Sequence, residues 1–139
     1  MSNRKILIQR LYDEAWSNGK FDIVNNLISD SCLYHLPVLE PDFGMGAESL
    51  IKTITMYRNS FPDLDFDVMQ MIEEGNIISV LWNATGTNKG NLGDIPATKR
   101  KGEVRGVHLF RFEGSQVVES WITWDNLGLL HQLGVLPAK

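Results

Sequence analysis

The sequence predicts an α+β fold: a cone-shaped, curved antiparallel sheet wrapped over three N-terminal helices, closed by a short C-terminal helix. Three observations carry this. Up to Phe61 the apolar residues recur at helical spacing, and from Leu64 the period changes to two. Strong turn signals then separate the alternating runs. The 139 residues are 43% apolar and 22% charged, enough for one core, so helices and strands must share it as a single domain over residues 1–139.

Residues 4–17 read as the first helix, because Ile8, Leu11, Tyr12, Ala15 and Trp16 share a face and Asn18-Gly19 supplies the stop. Phe21, Val24, Leu27 and Ile28 share the face of a second, short helix. Cys32 to Pro37 reads as a strand, with Tyr34 and His35 pointing to opposite sides. Leu39 to Gly46 carries two glycines, Pro41 and two acids, the composition of a loop over a pocket mouth. Ala47, Leu50, Ile51, Ile54, Tyr57 and Phe61 trace the stripe of a third helix that ends at Pro62-Asp63. Next, Phe66, Val68 and Gln70 alternate with Asp65, Asp67 and Met69. After the turn Glu74-Gly75-Asn76, the strand Ile77 to Thr87 turns Ile78, Val80, Trp82 and Ala84 to one face. Asn88 to Gly102 is a loop.

The chain then makes its most informative hairpin. Val104, Gly106, His108, Phe110 and Phe112 fall on one face of the strand Val104 to Phe112; Arg105, Val107, Leu109 and Arg111 fall on the other. Glu113-Gly114-Ser115-Gln116 is the turn. The return strand, Val117 to Trp124, divides into Val118, Ser120, Ile122 and Trp124 against Val117, Glu119, Trp121 and Thr123. A final helix spans about Asn126 to Leu133.

The totals narrow the function. A net charge of −4 leaves no footprint for nucleic acid, and no stretch is long enough for a membrane span. The N-terminus lacks the apolar core of a signal peptide, so a cytoplasmic location is expected. Cys32 is alone, three histidines are scattered, and HExxH, CxxC, P-loop and GxGxxG patterns are absent. No metal and no cofactor are expected.

The run RGVHLFRFEGSQVVESWITWDNLGLLHQLG resembles the C-terminal signature of the SnoaL-like polyketide cyclases. FPDLDFDVMQMIEEGNIISVLWNATGTNKG and LGDIPATKRK are similar to that family's middle, so the resemblance covers nearly the whole chain. It implies the cone-shaped fold of nuclear transport factor two and ketosteroid isomerase. It also implies a small-molecule enzyme that needs no metal or cofactor, and a homodimer joined through the outer faces of its sheets. Some members close polyketide esters by an intramolecular aldol reaction, using a pocket aspartate as acid and base. That aspartate falls on Ile122 here, the pocket histidine on His108, an acid three positions after the aspartate on Asp125, and a first-strand polar residue on Tyr34 or His35. A histidine of the Thr-Gly-Thr stretch falls on Asn88.

The candidate catalytic residues are therefore His108, Asp125 and Tyr34. His108 breaks an otherwise apolar strand face, and an imidazole there must find a partner. The plain alternative is a core histidine held by a carbonyl or a tyrosine. Asp125 stands where an Asp would cap the last helix, and that reading competes with a pocket role. His35, Tyr57, Trp82, Phe110, Ile122 and Trp124 are expected to line the pocket. The expected ligand is a hydrophobic carbonyl compound. A non-catalytic binding or dimerisation module, or a hydrolase or isomerase on the same scaffold, is the alternative.

Overall fold

The structure, a computed structural model, describes residues 2–38 and 40–137. Leu39, the first residue of the expected loop, lies outside the described residues, as do Met1, Ala138 and Lys139. Helix α1 covers Asn3–Arg10, and Ser2 caps it by accepting from the Lys5 N–H at 3.1 Å. The same helix continues as a wider π segment, Leu11–Trp16, which buries Leu11, Tyr12, Ala15 and Trp16 together. Helix α2 (Asp22–Leu27) runs directly into strand β1 (Ile28–His35). Ile28, grouped above with the second helix by its spacing, is thus the first strand residue, with extended backbone and a fully buried side chain. Helix α3 (Gly46–Ser60) carries the expected stripe: Ala47 and Ile54 are buried, while Leu50, Ile51 and Tyr57 pack at the edge of the core.

Strands β2 (Asp65–Glu74), β3 (Ile77–Thr87), β4 (Lys101–Glu113) and β5 (Gln116–Trp124) complete one five-stranded sheet in the order β1-β5-β4-β3-β2. Its sequential neighbours are antiparallel, as alternation and tight turns require. The sheet is nevertheless mixed, because β1 joins β5 in parallel. No hairpin links those two strands, so nothing local in the sequence announces the pairing. Helix α4 (Asn126–Gln132) packs back on β4. Among the described residues, no helix is long and apolar enough to cross a membrane.

The inner faces of β3 and β4 follow the expected alternation: Ile78, Val80, Trp82 and Ala84 are buried, as are Gly106, His108, Phe110 and Phe112. Two bulges shift the alternation elsewhere. Between Val68 and Gln70 an extra residue in β2 leaves Gln70 exposed and brings Met71 to the core instead. Between Arg111 and Phe112 the register with β5 slips, so Phe112 pairs with Val117 and Arg111 with Glu119. Val117, expected on the outer face, is therefore fully buried.

The loop before β4 is knotted by Asn88, a fully buried polar residue. Its Oδ1 accepts from the Thr98 N–H at 2.8 Å and from the Thr98 hydroxyl at 3.0 Å, and its Nδ2 donates to the Gly90 carbonyl at 2.8 Å. These bonds satisfy the side chain completely enough to explain its burial.

Gly106 is where sheet and aromatic layer meet most closely. A Cβ there would come within 2.2 Å of Trp82 Cζ2 and 2.7 Å of the Trp124 backbone-attached Cβ. The indole of Trp82 thus occupies a gap that only glycine leaves. Gly106→Ala is expected to destabilise the protein by about 1–3 kcal/mol, the usual cost of overpacking. Urea unfolding of the two proteins checks this; an unchanged midpoint would remove the close-packing account.

Candidate active site

An internal cavity lies between the inner face of the sheet and the helices. It leaves about 90 Å³ for the centres of water-sized molecules. One water needs roughly 10–15 Å³ by that measure, so the space suits a small organic molecule. Its walls are mostly apolar, with Leu50, Phe66, Phe110 and Ile122 among them, and the polar groups are few enough to take one by one.

His108 stands on the floor. Its Nδ1 lies 2.5 Å from the hydroxyl oxygen of Tyr12, delivered by the π segment. The Tyr12 hydroxyl is fully buried and has no other partner among the described residues. It must donate to avoid a stranded O–H, so Nδ1 accepts and the ring proton sits on Nε2. Both groups are uncharged. Burial pushes the Tyr12 phenol well above its ordinary range and pushes the His108 imidazole down to about 3. His108 is therefore a hydrogen-bond donor at neutral pH rather than an ionising acid or base.

The alternation on β1 resolves as Tyr34 inward and His35 outward. Tyr34 lines the cavity and donates to the Gly46 carbonyl at 2.7 Å, which ties β1 to the start of α3. His35, expected in the pocket, is exposed on the outer face; it stacks on Trp121 at 5.1 Å and donates to Glu119 at 2.7 Å. Asp125 does not line the cavity. Its exposed carboxylate accepts from the Gly128 N–H at 2.9 Å and caps α4. The short Asp-Asn-Leu-Gly run makes that bond local, and so it prevails over reaching inward. Tyr57, Trp82, Phe110, Ile122 and Trp124 line the cavity. Ile122 is the direct cross-strand partner of His108.

Sequence reasoning missed Glu40. It sits in the loop between β1 and α3 and lines the cavity. Tyr57 donates to its Oε1 at 2.7 Å, and the Trp124 indole donates to its Oε2 at 3.2 Å. Burial raises the carboxyl above the ordinary range, and the Tyr57 and Trp124 bonds only partly offset it. A carboxyl so held keeps its proton to a higher pH than a solvated glutamate does. Its one sequence signal was an acid in a loop expected to cover a pocket mouth.

A cone of sheet and helices enclosing an apolar cavity with a few fixed polar groups defines a small-molecule-binding class of α+β protein. The chain belongs to the SnoaL-like polyketide cyclase family, whose pattern matches residues 6–133. It is similar to the aklanonic acid methyl ester cyclase DnrD of Streptomyces peucetius, 27% identical over 96% of this chain and 92% of that protein. Among solved structures, wild-type IdmH from Streptomyces antibioticus is 25% identical, with a TM-score of 0.82, over 96% of this chain and 99% of that one. TsrD from Streptomyces laurentii has a TM-score of 0.85 at 21% identity, over 98% and 99% of the two chains, and so shares the fold.

The buried imidazole makes stability depend on pH. In the unfolded chain a histidine protonates near pH 6.5, roughly the ordinary value. In the native protein it does so only near about 3. The unfolded state binds the extra proton between these values, so stability is full above the upper one and falls as pH drops. The slope is at most about 1.4 kcal/mol per pH unit from this group. Urea unfolding at pH 7 and pH 5 is expected to show that loss in the native protein and a smaller one in His108→Phe. Equal losses in both proteins would contradict a neutral, buried His108.

Proposed function

We propose that this protein is a cofactor-independent acid–base enzyme that acts on a hydrophobic carbonyl compound held in the cavity. The observation that carries the reading is Glu40, a carboxyl with raised proton affinity, tethered by Tyr57 and Trp124 on the wall of a cavity that also contains a neutral His108. The ligand's carbonyl oxygen accepts from His108 Nε2–H. Ionised Glu40 takes a proton from the carbon next to that carbonyl, and the resulting enolate oxygen stays on the imidazole donor. Glu40 then returns the proton to the product. A positioned base of this kind contributes roughly a hundredfold to ten-thousandfold in rate. The neutral imidazole suits its part, because it donates without holding a charge in an apolar site.

At position 122, isoleucine offers packing surface and no proton. Cyclisation of a polyketide methyl ester, the reaction named for DnrD, is accordingly not expected of the native protein. The test is solvent deuterium exchange at the carbon beside the carbonyl of a fused bicyclic ketone such as 2-tetralone. Native protein is expected to accelerate exchange. Glu40→Gln is expected to lose about a hundredfold or more, His108→Ala about tenfold to a hundredfold, and Asp125→Asn less than about twofold, because its bond is a helix cap. The native rate is expected to rise with pH through a midpoint above the ordinary glutamate value, in keeping with the raised carboxyl. Exchange that survives Glu40→Gln at full rate would sink the assignment. Efficient ester cyclisation by the native protein would sink the reading of Ile122.

We also propose a homodimer through the outer face of the sheet. Val107, Leu109, Trp121 and Thr123 line a shallow groove there with His35, beside the Arg111–Glu119 ion pair at 3.0 Å. Half-buried apolar groups within a charged rim suit a self-complementary interface. Light scattering at micromolar concentration is expected to give twice the chain mass, and Leu109→Glu to give the single mass. A native monomer at that concentration would remove the proposal.

A further inference from the structure

Trp82 holds a buried donor that no described residue satisfies. It lies on the inner face of β3 and lines the cavity, and it is only 2% exposed. Its indole Nε1 is buried, with no hydrogen-bond partner among the described residues. A stranded buried N–H costs about 1–3 kcal/mol, so such groups are scarce in folded proteins. Packing alone does not account for it, since a phenylalanine would fill an aromatic layer without the penalty. Phe66 already does so beside it, with ring centres 4.8 Å apart.

The neighbouring geometry supplies a reason. In the β3–β4 ladder Val80 faces His108 and Trp82 faces Gly106, so Trp82 and His108 are diagonal neighbours on one face. Their ring centres are 5.7 Å apart with the planes inclined by 34°. Gly106 lets the indole lean across toward β4, where its Cε2, the atom bonded to Nε1, sits 2.7 Å from the missing Cβ. His108 has its Nδ1 occupied by Tyr12, which leaves Nε2–H as its second donor. Two N–H donors therefore belong to residues on adjacent strands that both line one apolar cavity, and neither donor has a protein acceptor among the described residues.

We infer that Trp82 Nε1–H and His108 Nε2–H together form a two-point cradle for one oxygen of the ligand, a carbonyl or the enolate derived from it. This deepens the proposed function and rests on its carbonyl ligand. The cradle makes Trp82 a residue that selects for ketones over hydrocarbons of the same shape, a role apart from wall packing. An oxygen with two lone pairs can accept from both donors at once.

The experiment compares 2-acetylnaphthalene with 2-isopropenylnaphthalene, in which a CH2 group replaces the carbonyl oxygen, by calorimetry on the full chain. Native protein is expected to bind the ketone at least about tenfold more tightly. Trp82→Phe is expected to reduce that preference, the ratio of ketone to hydrocarbon affinity, by about fivefold to tenfold, as for one lost neutral hydrogen bond. If the variant does not fold, the native protein labelled with nitrogen-15 gives the same answer. The assigned Trp82 indole N–H resonance is expected to move downfield with the ketone and not with the hydrocarbon. A preference unchanged in Trp82→Phe, or an indole resonance that ignores the ketone, overturns the cradle. If His108→Phe still abolishes the preference in that case, the carbonyl-binding reading survives on His108 alone. Failure of both compounds to bind overturns the cradle and the proposed function together.

Discussion

The hydrogen bond between Tyr12 and His108 is the constraint on which the site depends. An imidazole on an apolar strand face has to find a partner inside the protein, and the helical layer supplies one. The π segment meets that need by turning Tyr12 onto the sheet together with Leu11, Ala15 and Trp16. One bond thereby does three things. It joins the helical layer to β4, it fixes the ring proton on Nε2, and it occupies Nδ1. The uncharged state follows from burial, and the donor character follows from the tyrosine.

Around that bond the sheet separates two chemistries. The inner face accepts aromatic rings and neutral donors: Trp82 over Gly106, Phe110 beside His108, Ile122 across from it. The outer face holds the ions, where Glu119 bridges Arg111 and His35 and its carboxyl stays below the ordinary range because both partners favour its charge. The contrast with Glu40 is instructive. It is also a glutamate with two hydrogen bonds, but its partners are a phenol and an indole, neither of them charged, and burial outweighs them. Identical side chains thus take opposite protonation tendencies on the two sides of one sheet.

Much of the fold was legible because the chain writes it in period. The alternation of Ile78 to Ala84 and of Gly106 to Phe112 needs no long-range information, and it put His108 inside. What was not legible had no periodic trace. The parallel pairing of β1 with β5 joins segments far apart in the chain, and the bulges that turn Met71 and Val117 inward look like ordinary strand residues. The site divides the same way. Tyr34 and His35 were distinguishable as opposite faces but not as to which was which, because both faces of β1 carry polar residues. Asp125 carried a local capping signal and obeyed it. Glu40 lies in irregular chain, where position in sequence says nothing about direction, and only the fold brings Tyr57 and Trp124 to its two oxygens.

A carboxyl in a loop is kept in place differently from one on a strand. A carboxylate at position 122 would inherit its orientation from the ladder beside His108. Glu40 has no ladder, and its geometry is set by two side-chain bonds from different elements, α3 and β5. Each bond constrains one oxygen, so together they fix both the rotation and the reach of the group, which is what preorganisation requires. The same bonds leave each oxygen with a free lone pair for a substrate proton. On the proposed chemistry, Tyr57 and Trp124 are then positioning residues as well as walls, and the cavity side of α3 and the end of β5 are tied to the loop through the very group that moves the proton.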